Sequence, residues 1–485
     1  VTEISALQPQ ALWQWFDTIC SIPHPSKHEI ALRDHIQQWA DDRGLDTQLD
    51  AVGNLIIRKN ATVGMEDRQG VVIQAHLDMV PQKNSDTDHD FTVDPIRPYI
   101  DGEWVTATGT TLGADNGIGM ASALAVLGSD DVAHGPLEVL LTIDEEAGMT
   151  GAFGLEAGVL TGSILINTDS EEEGEVYMGC AGGIDAGLSV AIARQAAAAD
   201  TVTVELALTG LKGGHSGCDI NIGRGNANKL LARFLFGHAD ELGLQLVSLS
   251  GGSLRNAIPR EAWATVTVPS NNLARLTELT EFYQQLLNEE LGAVENPIAF
   301  ALTASSAANE VFTPACQSKL LALLNAAPNG VVRMSDSFPG VVETSLNVGV
   351  ITTEADHVAI SVLIRSTVDS GRSYVESTLR ALATLAGAEV EFSGAYPGWN
   401  PDPSSPIMQV VRETYQGMFD KLPNIQVIHA GLECGLFKKP YPEMDMVSIG
   451  PTIRFPHSPD EKVEIATVEK YWQLLLAVLN AVPAK

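Results

Sequence analysis

Four stretches of the 485-residue chain end in side chains able to hold a metal ion or move a proton. They are Val71-Val72-Ile73-Gln74-Ala75-His76-Leu77-Asp78, Gly113-Ala114-Asp115-Asn116-Gly117, Leu140-Leu141-Thr142-Ile143-Asp144-Glu145-Glu146 and Leu165-Ile166-Asn167-Thr168-Asp169. An imidazole among several carboxylates is a donor set of borderline hardness, suited to zinc, manganese or cobalt. Singly these signals are weak. A His-x-Asp is usually an ordinary loop, and adjacent glutamates such as Glu145-Glu146 are usually a solvated strand end. Their recurrence between residues 71 and 169 carries the inference, because the ligands of an open α/β sheet gather outside the carboxyl ends of its strands.

The elements that must position these clusters follow from patterning. Residues 71–75, 137–143 and 164–166 read as buried strands, and 118–127 as a buried helix between the first two. Strands alternating with helices imply a largely parallel sheet. Upstream, 10–45 reads as two helices, with Ser26-Lys27-His28-Glu29 as an S-x-x-E capping box between them. That makes His24 and His28 parts of a helix start rather than ligands.

At about residue 183 the character shifts. Residues 201–208 alternate as a strand, followed by a helix over 228–242, two strands within 256–268 and a helix over 273–291. The segment 316–396 repeats that order, with helices over 317–326 and 373–386, strands around 343–351 and 357–364, and a closing strand. The expected fold class is therefore α/β: a catalytic domain with a mostly parallel sheet flanked by helices, plus an inserted α+β lid domain with two βαββαβ-like units. The expected boundaries are 1–182 and 397–485 for the catalytic domain and 183–396 for the lid. A domain interrupted in this way assembles its site from both ends of the chain.

Length and composition agree with two globular domains, at 45% hydrophobic and 19% charged residues. The 61 acidic against 29 basic residues give a formal charge of −32, which repels nucleic acid and anionic membranes and chiefly confers solubility. Five scattered cysteines without a CxxC pair suit a reducing compartment. No signal-peptide pattern opens the chain, and no apolar run approaches the ~20 residues of a membrane helix. A cytoplasmic protein is expected.

Taken together, AHLDMVPQKN, TTLGADNGIG, EEAGM, LINTDSEEEGE, KGGHSG, HAGLECGLFKK and PHSPDE resemble the co-catalytic zinc exopeptidases, essentially end to end. That superfamily includes carnosinases, aminoacylases and glutamate carboxypeptidases, and the likeness is strongest to its bacterial aminoacyl-histidine dipeptidases. The resemblance implies two divalent metal ions, zinc first with cobalt or manganese as alternatives, bridged by Asp115. His76 and Asp169 would complete one site, Glu146 and His457 the other. A water shared between the metals would fall in pKa from about 15.7 toward ~7. Glu145 would take its proton and return it to the leaving amine. Asp78 would hold the other imidazole nitrogen of His76.

In the lid, His215 would polarise the scissile carbonyl, in its own or a partner subunit, and Asn256 and Arg365 would bind the substrate's C-terminal carboxylate. Read without the resemblance, His215 is a turn residue and the other two are surface polar residues. Glu433 is the candidate partner of the free amine. The implied activity is hydrolysis of unblocked dipeptides, preferentially Xaa-His such as carnosine, by a homodimer formed through the lid.

Three rival readings remain. An N-acyl amino acid deacylase or carboxypeptidase of the same superfamily would share every metal ligand. A catalytically dead binding protein would have lost Glu145 or a ligand, and here each position is filled. A two-metal phosphoesterase lacks the basic cluster it needs. Glu171-Glu172-Glu173 reads as a solvated acidic turn, and neither Cys218 nor Cys434 has the partners of a thiol nucleophile. Phe455 stands where related enzymes are expected to carry a smaller residue, and is expected to reshape the wall near one metal.

Overall fold

The strands Val71–His76, Leu137–Thr142 and Ile164–Asn167 are buried along their whole length, in the computed structural model that describes residues 3–84 and 86–485. Near-continuous apolar runs of this kind suit central parallel strands, because both faces of such a sheet are covered. The three pair in parallel, and Asp445–Ser448 joins them as a fourth. The full order is Asp46–Leu49, Leu55–Lys59, Leu137–Thr142, Val71–His76, Ile164–Asn167, Asp445–Ser448, Glu175–Cys180 and Asn424–Ile428. Leu55–Lys59 and Glu175–Cys180 pair antiparallel on either side of these four, so the sheet is mixed with a parallel centre. It belongs to a unit built from residues 1–180, 399–427 and 432–485.

Helix Ala114–Gly128 is buried from Ala114 to Leu127 and packs on Val71–His76 and on helix Gln10–Ser21. From Gly117 onward it is apolar on every side save for Ser122, as suits a helix enclosed all round. Gly117 permits the close helix approach: a Cβ there would lie 2.9 Å from the Phe16 ring. A smaller antiparallel sheet orders Ile453–Arg454, Lys462–Glu464, Trp104–Ala107 and Pro98–Asp101, and its first hairpin carries His457.

The expected capping box does not form. Helix Ile30–Asp42 begins after Glu29 without a side-chain cap. Ser26 Oγ instead donates to Asp78 Oδ2 at 2.7 Å, and Glu29 Oε1 accepts the N–H groups of Lys27 and Asp144, each at 2.9 Å. The Asp78 carboxylate takes the Ser26 hydroxyl, and the Asp144 amide takes up the Glu29 carboxylate, so neither side chain is left to cap the helix.

The second unit comprises residues 181–398 and 428–431. Its antiparallel sheet orders Ala299–Ala304, Thr201–Thr209, Ala262–Pro269, Gln245–Gly251, Val342–Thr353, His357–Ser366, Gly182–Ala191 and Glu389–Tyr396. Two βαββαβ repeats lie side by side in it. The first runs Thr201–Thr209, Ala227–Leu242, Gln245–Gly251, Ala262–Pro269, Leu273–Leu291 and Ala299–Ala304. The second does not begin near 316. Its first strand is Gly182–Ala191, and it resumes after the whole first repeat with Pro314–Ala326, Val342–Thr353, His357–Ser366, Asp369–Ala386 and Glu389–Tyr396. The repeats join where Ser250 and Gly251 pair with Thr352 and Ile351. Among the described residues no helix is long and apolar enough to cross a membrane.

Candidate metal centre

Three parallel strands deliver side chains to one end of the first unit's sheet. Val71–His76 ends on His76, Leu137–Thr142 runs on into Asp144-Glu145-Glu146, and Ile164–Asn167 runs on to Asp169. Asp115 lies at the start of helix Ala114–Gly128 in a non-helical conformation, φ −82° and ψ 109°, and its peptide bond to Asn116 is cis. His457 sits in a hairpin loop at φ 59°, and Phe455 beside it at φ 55°. Left-handed backbone is uncommon for residues other than glycine and concentrates at functional sites. Glycine or asparagine suits such a backbone better than phenylalanine. The Phe455 ring is exposed, with Lys462 Nζ 5.8 Å from its centroid.

Asp115 divides its carboxylate between two histidines. Oδ1 lies 3.2 Å from His76 Nε2, and Oδ2 lies 3.2 Å from His457 Nε2. His76 Nε2 is also 3.3 Å from Asp169 Oδ1, and His457 Nε2 is 3.1 Å from Glu146 Oε1. Two ligands of a tetrahedral cation, each ~2.0–2.1 Å from it, stand ~3.3 Å apart. The spacing therefore fits two cations sharing Asp115. Within metal-binding reach of one another are His76 with Asp115 and Asp169, Asp115 with Glu146 and His457, and His76 with Glu145 and Glu146.

The charges fit as well. Burial, and then the neighbouring Asp115, push Glu146 up to about 7. Burial raises Glu145 well above the usual carboxylate range despite His76, with Glu146, Asp169 and Glu433 adding to it. Asp169 is likewise raised, first by burial. His457 goes the other way, to about 11, because Asp115 and Glu146 both accept from it. More carboxylate is gathered here than two imidazoles neutralise, and divalent cations relieve that conflict.

The Asp78 side chain meets more than one imidazole. His76 Nδ1 lies 3.0 Å from the Asp78 carbonyl and 3.4 Å from its carboxylate. The carboxylate also accepts the N–H of Glu145 at 2.9 Å on Oδ1 and that of Glu146 at 3.1 Å on Oδ2. Burial alone would raise its pKa, but His76, Ser26 and the Glu145 amide outweigh burial and hold it at about 2.

Two further carboxylates border the cluster. Glu433 is buried, its Oε2 accepting from Gln74 Nε2 at 2.6 Å and Thr142 Oγ1 at 2.8 Å, and burial pushes it up to about 8. Glu171 is not part of a solvated turn. It is half-buried and pushed up to about 9, first by burial and then by Asp115 and Asp169. Its neighbours are pinned: Arg454 makes a two-pronged bond to Glu172, and the Tyr415 hydroxyl donates to Glu173 at 2.6 Å. The three-glutamate run disguised this, and only the pairing partners reveal it.

In the second unit, His215 lies in a short bridge with Ala257, and Asn256, exposed, accepts the Ser216 N–H on its carbonyl at 2.9 Å. His215 Nδ1 accepts the N–H groups of Gly217 and Cys218 at 3.2 and 3.0 Å. The neutral ring therefore carries its proton on Nε2. Arg365 is buried rather than a surface residue, donates to the Tyr396 hydroxyl at 3.0 Å, and brings Nη2 to 3.4 Å from His215 Nε2. Two N–H donors then lie side by side, an arrangement suited to oxygen acceptors. His429, in the same unit, carries no local sequence signal. It is buried, 2.7 Å from Ser345 Oγ, and held neutral at about 3 by burial and then by the Arg365 charge.

The chain is similar to known proteins along its whole length. The model of peptidase family M20/M25/M40 matches residues 72–481. The cytosol non-specific dipeptidase of Escherichia coli (strain K12) is 61% identical over 487 aligned residues, covering 100% of both chains. The crystal structure of aminoacylhistidine dipeptidase from Vibrio alginolyticus superposes with a TM-score of 0.90 at 64% identity, covering 100% of this chain and 99% of that one. An aminopeptidase from Bacillus cereus shares the fold, with a TM-score of 0.56 at 17% identity over 98% of this chain and 99% of its own. The chain belongs to peptidase family M20/M25/M40.

Proposed function

We propose that the chain is a dinuclear metal-dependent dipeptidase that hydrolyses unblocked dipeptides in the cytoplasm, preferentially those ending in histidine, such as carnosine. The observation that carries this reading is the Asp115 carboxylate, its two oxygens each 3.2 Å from a different histidine. The relatives named as dipeptidases, one of them for aminoacyl-histidine and one as cytosolic, support the substrate class and compartment.

His76, Asp115 and Asp169 would hold one divalent cation, and Asp115, Glu146 and His457 the other, with zinc the first expectation and cobalt or manganese after it. Cations bound there supply Lewis-acid polarisation of the scissile carbonyl and acidify water. Glu145 takes the proton of the attacking water and hands it to the departing amine nitrogen. A raised carboxyl pKa suits that task, and Asp78 holds its main chain in place. To the second unit the reading assigns substrate recognition. His215 offers Nε2–H to the carbonyl oxygen as negative charge develops, and Arg365 with Asn256 takes the C-terminal carboxylate. Glu433, with Oε2 already occupied, leaves Oε1 for the free amine. A homodimer through the second unit belongs to the same reading, supported by its exposed Phe236, Phe282, Tyr374 and Leu385.

The test is release of histidine from β-alanyl-histidine by the zinc-loaded protein, beside a Glu145→Ala variant that keeps its metals. Release by the parent and near-silence in the variant is the expected result. Cleavage of an N-acyl amino acid in place of the free dipeptide would move the activity to a deacylase on the same metal centre.

A further inference from the structure

We infer that Glu461 is a positioning residue for the metal centre: it clamps the segment ending in Asp115 to the loop that carries His457, and so sets the spacing of the two cation sites. The inference rests on the dinuclear reading above.

Glu461 is buried, and its carboxylate accepts four consecutive main-chain N–H groups. Oε2 takes those of Leu112 at 2.8 Å and Gly113 at 3.0 Å, while Oε1 takes those of Ala114 at 2.8 Å and Asp115 at 3.2 Å. At a helix start such groups have no acceptor within the helix. A cap usually comes from the residue just before the helix. Here that residue is Gly113, in left-handed backbone at φ 73°, where a Cβ would lie 3.1 Å from Met79 Sδ. No side chain can serve locally, and the acceptor comes from 346 positions further along.

The other side of Glu461 holds the His457 loop. Its N–H donates to the Ser458 carbonyl at 3.0 Å, closing a turn directly after His457, and its carbonyl accepts from Thr106 Oγ1 at 2.8 Å. A loop with left-handed backbone at both Phe455 and His457 keeps that shape only if its surroundings over-determine it. One side chain thus ties together two segments that each bring a ligand to the same cation, Asp115 from one and His457 from the other. An ordinary helix cap would have no reason to come from the ligand-bearing loop.

The test compares the parent with Glu461→Gln and Glu461→Asp. Glutamine keeps the shape but sets an NH2 group against two N–H donors, while aspartate keeps both oxygens and is one methylene short. Each protein is stripped, titrated with cobalt and followed by its visible spectrum, by bound equivalents per chain and by thermal melting. kcat and KM are then measured on β-alanyl-histidine. In E461Q the expected result is about 10–100-fold weaker binding of one cobalt equivalent, an altered cobalt spectrum, and a lower kcat with KM little changed. E461D is expected to fall between.

Parent-like cobalt affinity and spectrum in E461Q, even with a lowered melting point, would reduce Glu461 to a helix cap and overturn the inference. If E461Q does not fold, parent-like cobalt binding by E461D overturns it instead. A parent that takes up fewer than two equivalents would refute the dinuclear reading itself, and this inference with it.

Discussion

Replacing Asp78 by asparagine tests how the site loops are held, because it preserves volume and removes one acceptor. Oδ1 accepts the Glu145 N–H at 2.9 Å, while Oδ2 accepts the Glu146 N–H at 3.1 Å and the Ser26 hydroxyl at 2.7 Å. The serine hydroxyl can turn and accept, so the favoured asparagine orientation puts its NH2 on the Ser26 side. That sets a donor against the Glu146 N–H. One charge-assisted hydrogen bond is lost, ~1.5–3 kcal/mol, from the turn that carries both the proposed base and a proposed ligand. If the whole loss appears in the transition state, kcat falls about 10–150-fold, since ~1.4 kcal/mol is tenfold. KM should change little, because Asp78 touches no substrate in this reading. The assay is steady-state hydrolysis of β-alanyl-histidine at saturating zinc, with bound metal measured in the same samples. A D78N variant with two metals and parental kcat refutes the reasoning. Complete recovery on adding more zinc would also refute it, by showing that Asp78 serves only the affinity of His76.

The other predictions concern the cations and the second unit. Stripping the metals with a chelator should lower the melting temperature and adding zinc should restore it; saturation at a hundred times Kd contributes about 2.7 kcal/mol, and an unchanged melting point would count against a metal centre. Arg365→Lys exchanges a two-pronged donor for a point charge, so KM for a free dipeptide should rise about 10–150-fold, the worth of one charge-assisted bond. The corresponding dipeptide amide should not distinguish the two proteins, and equal losses on both substrates would remove Arg365 from carboxylate recognition. His215→Ala should raise the barrier by ~2.7–4 kcal/mol, roughly 100- to 1000-fold in kcat; a fall confined to KM would deny it the carbonyl.

The parts of this site that sequence made legible are those written in local periodicity. His76, Glu145-Glu146 and Asp169 each follow an apolar run, and each lies at the carboxyl end of a central parallel strand. His457 had no such signature. It stands in a hairpin loop between the short strands Ile453–Arg454 and Lys462–Glu464, and only the family resemblance singled it out. Ser26 and Glu29 show how a local rule misleads: their spacing satisfies a capping box, but their partners are Asp78, 52 residues from Ser26, and Asp144, 115 residues from Glu29. Glu461 stands within the PHSPDE stretch, yet nothing local indicates four amide donors arriving from residues 112–115. The start of the second repeat is hidden from local pattern for a similar reason. Strand Gly182–Ala191 is separated from the rest of its repeat by the entire first one, and pairing rather than order reveals where it belongs.

Beneath the proposed ligands lies a feature that hydrophobic patterning hides. Gln74, Thr142, Asn167 and Ser448 come from the four central parallel strands, and all are buried. Thr142 Oγ1 and Gln74 Nε2 both donate to Glu433, Asn167 Nδ2 donates to Gln74 Oε1 at 2.6 Å, and the Ser448 hydroxyl donates to Asn167 Oδ1 at 2.5 Å. Buried polar groups are costly unless satisfied, and a satisfied network holds its members in one arrangement. Side chains two apart on a strand share a face, so Gln74 lies directly behind His76. Asn167 Oδ1 also accepts the Asp169 N–H at 3.2 Å. The polar row therefore gives the strand ends a common reference, and His76 and Asp169 are set against it rather than against separate loops. A cluster of carboxylates that repel one another needs such a rigid base, because without it the side chains would relax apart and lose the separation that suits two cations.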